Sequence, residues 1–269
     1  EKELLDDASI ELIAVEAGVD VNLEYAHRSI RAGKHIHLDK APGQDMPGFR
    51  ALLEEAAQKR LRVQMGYQWR YQPGMSTAIE AARKGWLGHI YGLRATINKP
   101  TPAADRKLLA RFKGGMMYEL GCHLIDRAVD LFGKPRRVTG ILRHDAAIDD
   151  TLEDNTLAIL EFDRAFAQIY IAAMQPNGGN YRTFEVLGTN GTIMVRPYSR
   201  SKLSIDLKDA AGPYAAGPHV VDAAADASPG FSPDFLDLAS QIREGTAPKW
   251  SMRHDLDTQE ALLKACHVL

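Results

Sequence analysis

Three short apolar runs separated by two helical patterns constrain the fold of the first 66 residues. The runs lie at Ile10–Glu16, His35–Asp39 and Leu61–Gly66, and each has the length of a buried strand. Between them, apolar residues recur at helical spacing, from Leu23 to Ile30 and again from Phe49 to Ala57. Strand, helix, strand, helix, strand with short connections predicts a right-handed parallel α/β sheet.

Open α/β sheets bind ligands beyond the carboxyl ends of their strands. Three segments occupy those positions: Glu16-Ala17-Gly18, Lys40-Ala41-Pro42 and Tyr67-Gln68-Trp69-Arg70-Tyr71. The last one combines hydrogen-bonding aromatic side chains with an arginine, which suits a polar ligand. A packing corner, where the chain leaves the sheet, is the alternative interpretation of the same residues.

After a helix predicted from Met75 to Lys84, successive strand patterns replace the βα alternation. We expect seven strands, at Ile90–Asn98, Arg137–Arg143, Asn155–Phe162, Ala165–Ala173, Arg182–Gly188, Thr192–Arg196 and Leu203–Leu207. The turn Gly188-Thr-Asn-Gly191 predicts an antiparallel hairpin between two of them.

The rest of this half contains a long helix, a loop and two closing helices. The long helix is expected at Met116–Leu131, and the Ala-, Gly- and Pro-rich segment Asp209–Ser228 predicts a loop without regular structure. One closing helix starts at Ser232, and the other is expected over Asp255–Leu269. The fold class is therefore α/β plus α+β, with a partial parallel domain over 1–72. A larger domain with an open, mainly antiparallel sheet is predicted over 73–269.

The richest chemistry lies in the segment Gly114–Asp126, where two glycines precede the predicted helix. On a helix of about 3.6 residues per turn, four acid/base side chains fall within about 60° of one another. They are Glu119, His123, Asp126 and Asp130. A carboxylate one turn before a histidine can orient its ring and raise its basicity, as a general base near neutral pH requires.

A polar stripe on an ordinary surface helix is the alternative interpretation of this row. Met117, Leu120, Leu124, Ala128 and Leu131 form the apolar stripe on the opposite side, as in any amphipathic helix. Cys122 points about 100° away from His123 on such a helix and is expected to be a small packed residue.

Composition favours a small-molecule partner. The formal net charge of the 269 residues is -2, so no strong field attracts nucleic acid or an anionic membrane. No apolar run approaches the roughly 18 residues that span a bilayer. The two cysteines rule out a disulfide framework and fit a reducing compartment, which leads us to expect a cytoplasmic protein.

Several motifs, in one order along nearly the whole chain, resemble those of the Gfo/Idh/MocA oxidoreductases. The segments are Ala32–His35 with Asp39–Pro42, Met65–Tyr71, Gly114–Asp126 and the Gly188–Ile193 hairpin. This family acts mainly on sugars, inositols and related polyols with a nicotinamide cofactor. The resemblance therefore implies NAD or NADP as cofactor and a sugar or polyol as substrate. It also implies a homodimer or homotetramer formed through the C-terminal β-sheet.

The resemblance also implies roles for individual residues. Lys40, His123 and Glu119 correspond to catalytic positions, with His123 transferring the proton, Glu119 as its carboxylate partner and Lys40 assisting. The substrate side is expected to comprise Tyr67, Arg70, Asp126 and Trp69. The cofactor is expected to contact Glu16, Ala17, Asp39, Lys40 and Gln68. No metal site is expected.

The family's Gly-rich phosphate turn is absent, because no GxGxxG occurs in this sequence. On the order of 60 residues, two βα units, would precede Glu1 in a complete cofactor domain. A chain that lacks this N-terminal part is the expectation, and such a chain should not bind NAD(P) tightly by itself. Glu119 stands where the family has Asp, so its longer side chain is expected to change the position of the carboxylate that partners His123.

Two other classes of function remain open. A non-catalytic relative that binds sugar or acts as a scaffold would explain the missing cofactor turn. A metal-assisted lyase or hydrolase acting on a carbohydrate would use the residue types at His35, His37 and Asp39, which share a strand face, or those of the Glu119 row. The sequence does not choose among sugars or between NAD and NADP.

Overall fold

A computed structural model of the protein describes residues 1–197, 202–223 and 232–269. Within these residues the chain divides into two compact units. The first comprises Glu1–Gln68 with Ser228–Gln259, and the second comprises Trp69–Ala227 with Glu260–Leu269. The domain ranges expected from the sequence, 1–72 and 73–269, stay a prediction. The C-terminal segment up to Gln259, which the sequence assigned to the second domain, lies with the first unit.

The first unit contains a three-stranded parallel sheet. Its strands are β1 (Leu12–Val15), β2 (His35–Leu38) and β3 (Val63–Met65), in the spatial order β1-β2-β3. Its helices are α1 (Lys2–Asp6), α2 (Val19–Arg31), α3 (Met46–Gln58) and α7 (Ser232–Arg243). The parallel βαβαβ arrangement predicted from the three apolar runs is confirmed.

The core of the first unit follows the predicted periodicities. Ala26 and Ile30 of α2 and Phe49, Leu52, Leu53 and Ala56 of α3 are buried. Because side chains alternate across a strand, Ile36 and Leu38 share one face of β2 while His37 points to the other. Both faces of the strand are buried, as expected for a central strand of a parallel sheet.

The second unit contains an eight-stranded open sheet. Its strands are β4 (Ile90–Thr96), β5 (Arg137–Arg143), β6 (Asn155–Glu161), β7 (Phe166–Ala172), β8 (Thr183–Gly188), β9 (Gly191–Val195), β10 (Lys202–Leu207) and β11 (Gly217–Asp222). Their order is β11-β10-β9-β8-β4-β7-β6-β5, and all pairs are antiparallel except β4 with β7. The predicted open, mainly antiparallel sheet is confirmed, and Gly188–Gly191 forms the expected hairpin turn.

Helices cover one face of this sheet. They are α4 (Pro73–Arg83), a π-helical segment (Met117–Gly121) and α6 (Cys122–Phe132). α5 (Ala103–Leu109) follows β4 in the chain, and α8 (Met252–Ala265) is the last helix. Two short 3-10 helices lie at Gln68–Tyr71 and Gly178–Tyr181. Ile169 and Ile171 of β7 and Leu124 and Ile125 of α6 are fully buried in the core.

Two expectations were wrong, and one helix was not predicted. The predicted loop at 209–228 contains β11, which pairs with β10; residues 224–228 lie outside the described part. Pro218 and the preceding glycine obscured the strand, because both residues are unusual in strands away from an edge. The last helix ends at Ala265, and His267 has a φ of 57°, so the chain leaves the helix before Leu269. The helix α5 was not predicted.

In the described ranges, every helix is too short or too polar to cross a membrane.

Candidate active site

The turn at Gly114-Gly115 sets where the helix carrying His123 begins. Gly114 has a φ of 93° and Gly115 a φ of 42°, conformations that residues with a Cβ rarely adopt. A Cβ on Gly114 would overlap the Cys266 side chain, and one on Gly115 would lie 2.6 Å from the Glu153 carbonyl oxygen. The Gly114 N–H donates to Glu153 Oε2 at 2.5 Å, and the Met116 N–H donates to the Glu153 carbonyl at 3.0 Å.

The helix itself is not continuously α-helical. Met117–Gly121 forms a π-helical segment, and regular α-helix begins at Cys122. The expectation of a single α-helix over Met116–Leu131, with Glu119 placed by α-helical spacing, was therefore wrong. A π segment has one more residue in each hydrogen-bonded turn, and such segments occur frequently at functional sites.

The surroundings of the helix also differ from an ordinary amphipathic surface helix. Every residue from Gly121 to Val129 is buried, including His123, Asp126 and Arg127. Glu119 and Asp130 are half-buried. The interpretation of the row as a solvated stripe fails, because water does not cover the side chains of His123 and Asp126. Cys122 is fully buried, as expected for a packed residue.

His123 lies against an aromatic ring. Its imidazole, 3% exposed, stacks on the indole of Trp69 with ring centroids 5.1 Å apart and planes 20° apart. Trp69 belongs to the 3-10 helix that follows β3. Stacking fixes the plane of the imidazole, so the two ring nitrogens point in defined directions. A fixed orientation is what a proton-transferring group needs.

Asp126 lies between two buried arginines. Arg70 donates to Asp126 Oδ1 from Nε at 3.0 Å and from Nη2 at 2.7 Å. Arg127 donates to Asp126 Oδ2 from Nη2 at 2.9 Å and to Asp130 Oδ2 from Nη1 at 3.1 Å. The side chains of Arg70, Asp126 and Arg127 are each at most 2% exposed. These bonds hold the 3-10 helix of Trp69 against the helix of His123.

A second ion-pair cluster holds the loop that contacts the Gly114 turn. Buried Arg106 of α5 donates to Asp150 at 2.5 Å and to Asp154 at 2.8 Å. The Arg106 guanidinium lowers the pKa of Asp150 through this hydrogen bond. In the same loop, hydrogen bonds from Arg143 and Asn155 lower the pKa of Asp145 to about 2. Glu153, which binds Gly114, lies in this loop, so the cluster supports the helix start.

In the first unit, the three predicted ligand segments lie at one edge of the sheet. The parallel register of the strands brings the first residues of these segments close together. The Asp39 N–H donates to the Val15 carbonyl at 3.0 Å, and the Gly66 N–H donates to the Leu38 carbonyl at 2.7 Å. Lys40 follows β2 and is half-buried, as is Asp39. The Lys40–Ala41 peptide bond is cis. The chain therefore assembles its strand ends as an open α/β sheet requires.

The remaining predicted ligand residues of this unit differ in exposure. Glu16, Ala17 and Gln68 are exposed, whereas Tyr67 is only 2% exposed. Glu16 and Ala17 also line a cavity of about 270 Å³ beside β1, together with Leu4, Leu5, Ile13 and Tyr25. Tyr67 is thus placed as a core residue, and Glu16, Ala17 and Gln68 are the residues a ligand can approach from solvent.

The histidines of β2 bond to the protein. His35 Nδ1 accepts the Arg62 N–H at 2.8 Å. His37 Nε2 lies 2.9 Å from Asp234 Oδ2, and its ring stacks on Phe235 with centroids 4.4 Å apart. These contacts tie α7 to the sheet. Among the described residues, no group of three or more His, Cys, Asp or Glu side chains has the arrangement of a metal site.

Sequence reasoning missed Arg182, which the fold brings to Trp69. The Arg182 Cζ lies 5.9 Å from the Trp69 ring centroid, although the two residues are far apart in the chain. No local motif marks such a contact, since it depends on how β8 and the 3-10 helix pack. Arg127 was also missed, because its neighbour Asp126 was read as one of a polar row.

The chain thus combines a parallel α/β unit with a large open sheet whose helical face carries a buried histidine. Residues 75–194 match the model of the GFO/IDH/MocA C-terminal domain. The chain is 31% identical over 154 residues to the uncharacterised oxidoreductase YhhX of Escherichia coli, covering 56% of this chain and 44% of that protein. It is 24% identical over 184 residues to the scyllo-inositol 2-dehydrogenase (NADP(+)) IolW of Bacillus subtilis, covering 67% and 51%.

Solved structures have the same fold. A levoglucosan dehydrogenase in complex with NADH and levoglucosan superposes with a TM-score of 0.82 at 20% identity, covering 99% of this chain and 80% of that one. Residues 75–194 of the chain therefore match the C-terminal domain of the GFO/IDH/MocA family. The chain spans about half the length of the curated relatives it matches.

Proposed function

We propose that the chain is the substrate-binding part, with half of the cofactor domain, of an NAD(P)-dependent oxidoreductase acting on a sugar, inositol or related polyol. The observation that carries this proposal is the buried His123, held in one orientation by Trp69 on the helix that begins at Gly114-Gly115. Relatives with established names support the class: one is a scyllo-inositol 2-dehydrogenase that uses NADP(+), and another is a levoglucosan dehydrogenase.

His123 is the proposed proton acceptor. Oxidation of a secondary alcohol removes a hydride from carbon and a proton from oxygen, leaving a carbonyl group. A bound nicotinamide supplies the hydride acceptor. His123 takes the hydroxyl proton, and in the reverse reaction returns it. Glu119, half-buried on the same helix, is proposed as its carboxylate partner. Lys40 is proposed, from the family resemblance, to donate a hydrogen bond to the developing alkoxide.

The first unit fits part of a dinucleotide site. Its strand ends carry Glu16, Ala17, Asp39, Lys40 and Gln68 at one sheet edge, and two of these residues also line the cavity beside β1. We propose that these residues hold part of NAD or NADP. A sequence without GxGxxG supplies no Gly-rich phosphate turn, so tight binding of the pyrophosphate requires residues outside this sequence.

The positions assigned to the substrate take different parts in this proposal. Trp69 presents its ring beside His123 and is proposed to contact the substrate directly. Arg70 and Asp126 bind each other, so they are proposed to orient Trp69 and His123 rather than to compete for a hydroxyl group. Tyr67 is proposed to support the end of β3 from the core.

Hydride transfer tests the proposal. Two purified samples are assayed: this chain and the longest polypeptide in which it occurs. The assay measures NAD(P)H formation with inositols, aldoses and anhydrosugars. Binding of NADH is followed by its fluorescence. Turnover of at least one polyol by the longer polypeptide is the expected result. Saturable binding of sugars without any response to NAD(P)H would instead favour a non-catalytic sugar-binding relative.

We also propose that two copies associate through the open face of the eight-stranded sheet. This face carries Ile141, Leu157, Phe166 and Tyr170 on neighbouring strands, and Ile141 and Phe166 are about half exposed. Covering such an apolar surface stabilises a dimer. Light scattering of Leu157→Lys should then give a smaller mass than wild type. Leu236→Lys, which alters an exposed leucine of α7, is the control. A monomeric wild type would refute this association.

The proposed compartment is the cytoplasm. Cys122 and Cys266 are both buried and outside any disulfide among the described residues, and burial raises the pKa of the Cys266 thiol. Cysteines without disulfides fit a reducing environment.

A further inference from the structure

Arg182 lies beside Trp69 at the edge of the candidate active site, and none of the described residues supplies a counter-charge to its guanidinium. It lies between the 3-10 helix Gly178–Tyr181 and β8, where its backbone is extended. Its Cζ lies 5.9 Å from the centroid of the Trp69 ring, a distance typical of a cation–π contact. Trp69 also stacks on His123, so one indole ring contacts both the proposed base and a guanidinium.

The guanidinium is partly dehydrated. Arg182 Nε is buried and has no hydrogen-bond partner among the described residues, and those residues provide no ion pair to this side chain. Two buried arginines of this unit differ from Arg182: Arg70 and Arg106 each donate two hydrogen bonds to one carboxylate. A buried N–H group left without an acceptor lowers stability, so such a group in a native fold calls for an explanation. A ligand acceptor provides one.

The geometry limits the size of that ligand. Because both distances are measured to the same indole ring, Arg182 Cζ lies at most about 11 Å from the centre of the His123 ring. Hydrogen bonds of about 3 Å at each end leave at most about 5 Å for the ligand. This limit excludes ligands larger than a monosaccharide that would place a secondary hydroxyl at His123 and an acceptor group at Arg182.

The chemistry of the guanidinium selects the acceptor. Its planar fork matches the two oxygens of a carboxylate, and a single cation balances a monoanion. We infer that Arg182 binds the carboxylate of an acidic sugar, a uronic or aldonic acid, whose secondary hydroxyl is oxidised at His123. This inference rests on the proposed function, which it narrows from sugars and polyols in general to their carboxylated forms.

The test compares matched acids and neutral sugars. Affinities of glucuronate against glucose, and of gluconate against sorbitol, are measured by calorimetry on the wild type. Turnover with NAD(P)+ is measured separately on the longest polypeptide that contains the chain. The variants are Arg182→Met, which removes the charge, and Arg182→Lys, which keeps the charge but not the fork. Arg196→Met is the matched control, since Arg196 lies over Tyr181 at the same end of the sheet and is exposed.

Wild type is expected to bind or turn over an acid at least about 10-fold better than its neutral counterpart. Arg182→Met should lose this preference, because its affinity for the acids falls by about 10- to 100-fold. Arg182→Lys should retain part of the preference, and Arg196→Met all of it. Circular dichroism establishes that each variant is folded; if Arg182→Met unfolds, Arg182→Lys alone decides between charge and fork.

Three results would overturn the inference. Equal affinity of wild type for acids and neutral sugars would do so, as would an acid preference that survives in Arg182→Met. A preference for glucose 6-phosphate over both acids would assign the site to phosphate instead. The proposed function is tested separately. If no substrate gives NAD(P)H, hydride transfer is contradicted. The inference about Arg182 is still decided by whether acid binding depends on this residue.

Discussion

The Asp126→Ala substitution tests whether the buried ion pairs position His123 and Trp69. Asp126, fully buried, accepts hydrogen bonds from both Arg70 and Arg127. Removing one carboxylate therefore leaves two desolvated guanidinium groups with a shared acceptor missing. Breaking one buried charge pair typically costs about 3–5 kcal/mol, and Arg127 retains its bond to Asp130. We expect Asp126→Ala to lower the free energy of unfolding by about 3–5 kcal/mol.

Further variants show how much each partner of Asp126 contributes to the free energy of unfolding. Arg70→Met should lower it less than Asp126→Ala does, because Asp126 keeps its bond to Arg127 and only one buried charge is removed. The double variant Arg70→Met/Asp126→Leu should recover part of the loss, since it replaces both charges by apolar side chains. Arg83→Met is the surface control: this arginine pairs with Asp130 but is 56% exposed, so we expect at most about 1 kcal/mol.

Urea unfolding, followed by tryptophan fluorescence and circular dichroism, measures these differences as shifts of the midpoint. If Asp126→Ala lowered the free energy of unfolding by less than about 1 kcal/mol, as little as Arg83→Met, the buried ion pairs would not position His123 and Trp69. Removing a buried carboxylate from between two arginines should be more destabilising than that. With so small a loss, Asp126 would return to the role of substrate ligand that the family resemblance implies.

Two further predictions concern the support of the helix that carries His123. Gly114→Ala combines a φ of 93° with overlap of the Cys266 side chain, so it should lower the free energy of unfolding by about 2–4 kcal/mol; Gly85→Ala, where φ is 76° and no atom lies near, should cost less. Asp145, whose pKa is lowered from 3.8 to about 2, stabilises the fold above its unfolded pKa and loses that effect as the pH falls through 2. Wild type should therefore lose thermal stability between about pH 4 and pH 2 more steeply than Asp145→Asn; parallel curves would contradict the assignment.

Much of the fold follows from local pattern. Helical spacing from Phe49 to Ala56 correctly indicates the buried face of α3, because residues three or four positions apart share one face of a helix. The hairpin Gly188–Gly191 was predictable since its residues suit the turn. The π-helical segment was not, because no residue spacing distinguishes Met117–Gly121 from an ordinary helix start.

The sequence suggests candidate site residues but not the residues they contact. It points to His123, Asp126 and Arg70, whereas their arrangement depends on packing between distant segments. Asp126 faces arginines instead of solvent, and Trp69 meets both His123 and Arg182. Interactions of this kind join residues far apart in the chain and leave no periodic signal. The His37–Asp234 pair was unpredictable for the same reason.

His123 is proposed to transfer a proton during hydride transfer to NAD(P)+. The most direct measurement is kcat/KM of His123→Asn, relative to wild type, on a polyol that the longest polypeptide containing this chain turns over. His144→Asn, which alters a histidine of the 144–154 loop, is the control. We expect a loss of about 10²- to 10⁴-fold for His123→Asn, with His144→Asn unaffected. Retention of wild-type kcat/KM by a folded His123→Asn protein would contradict this proposal.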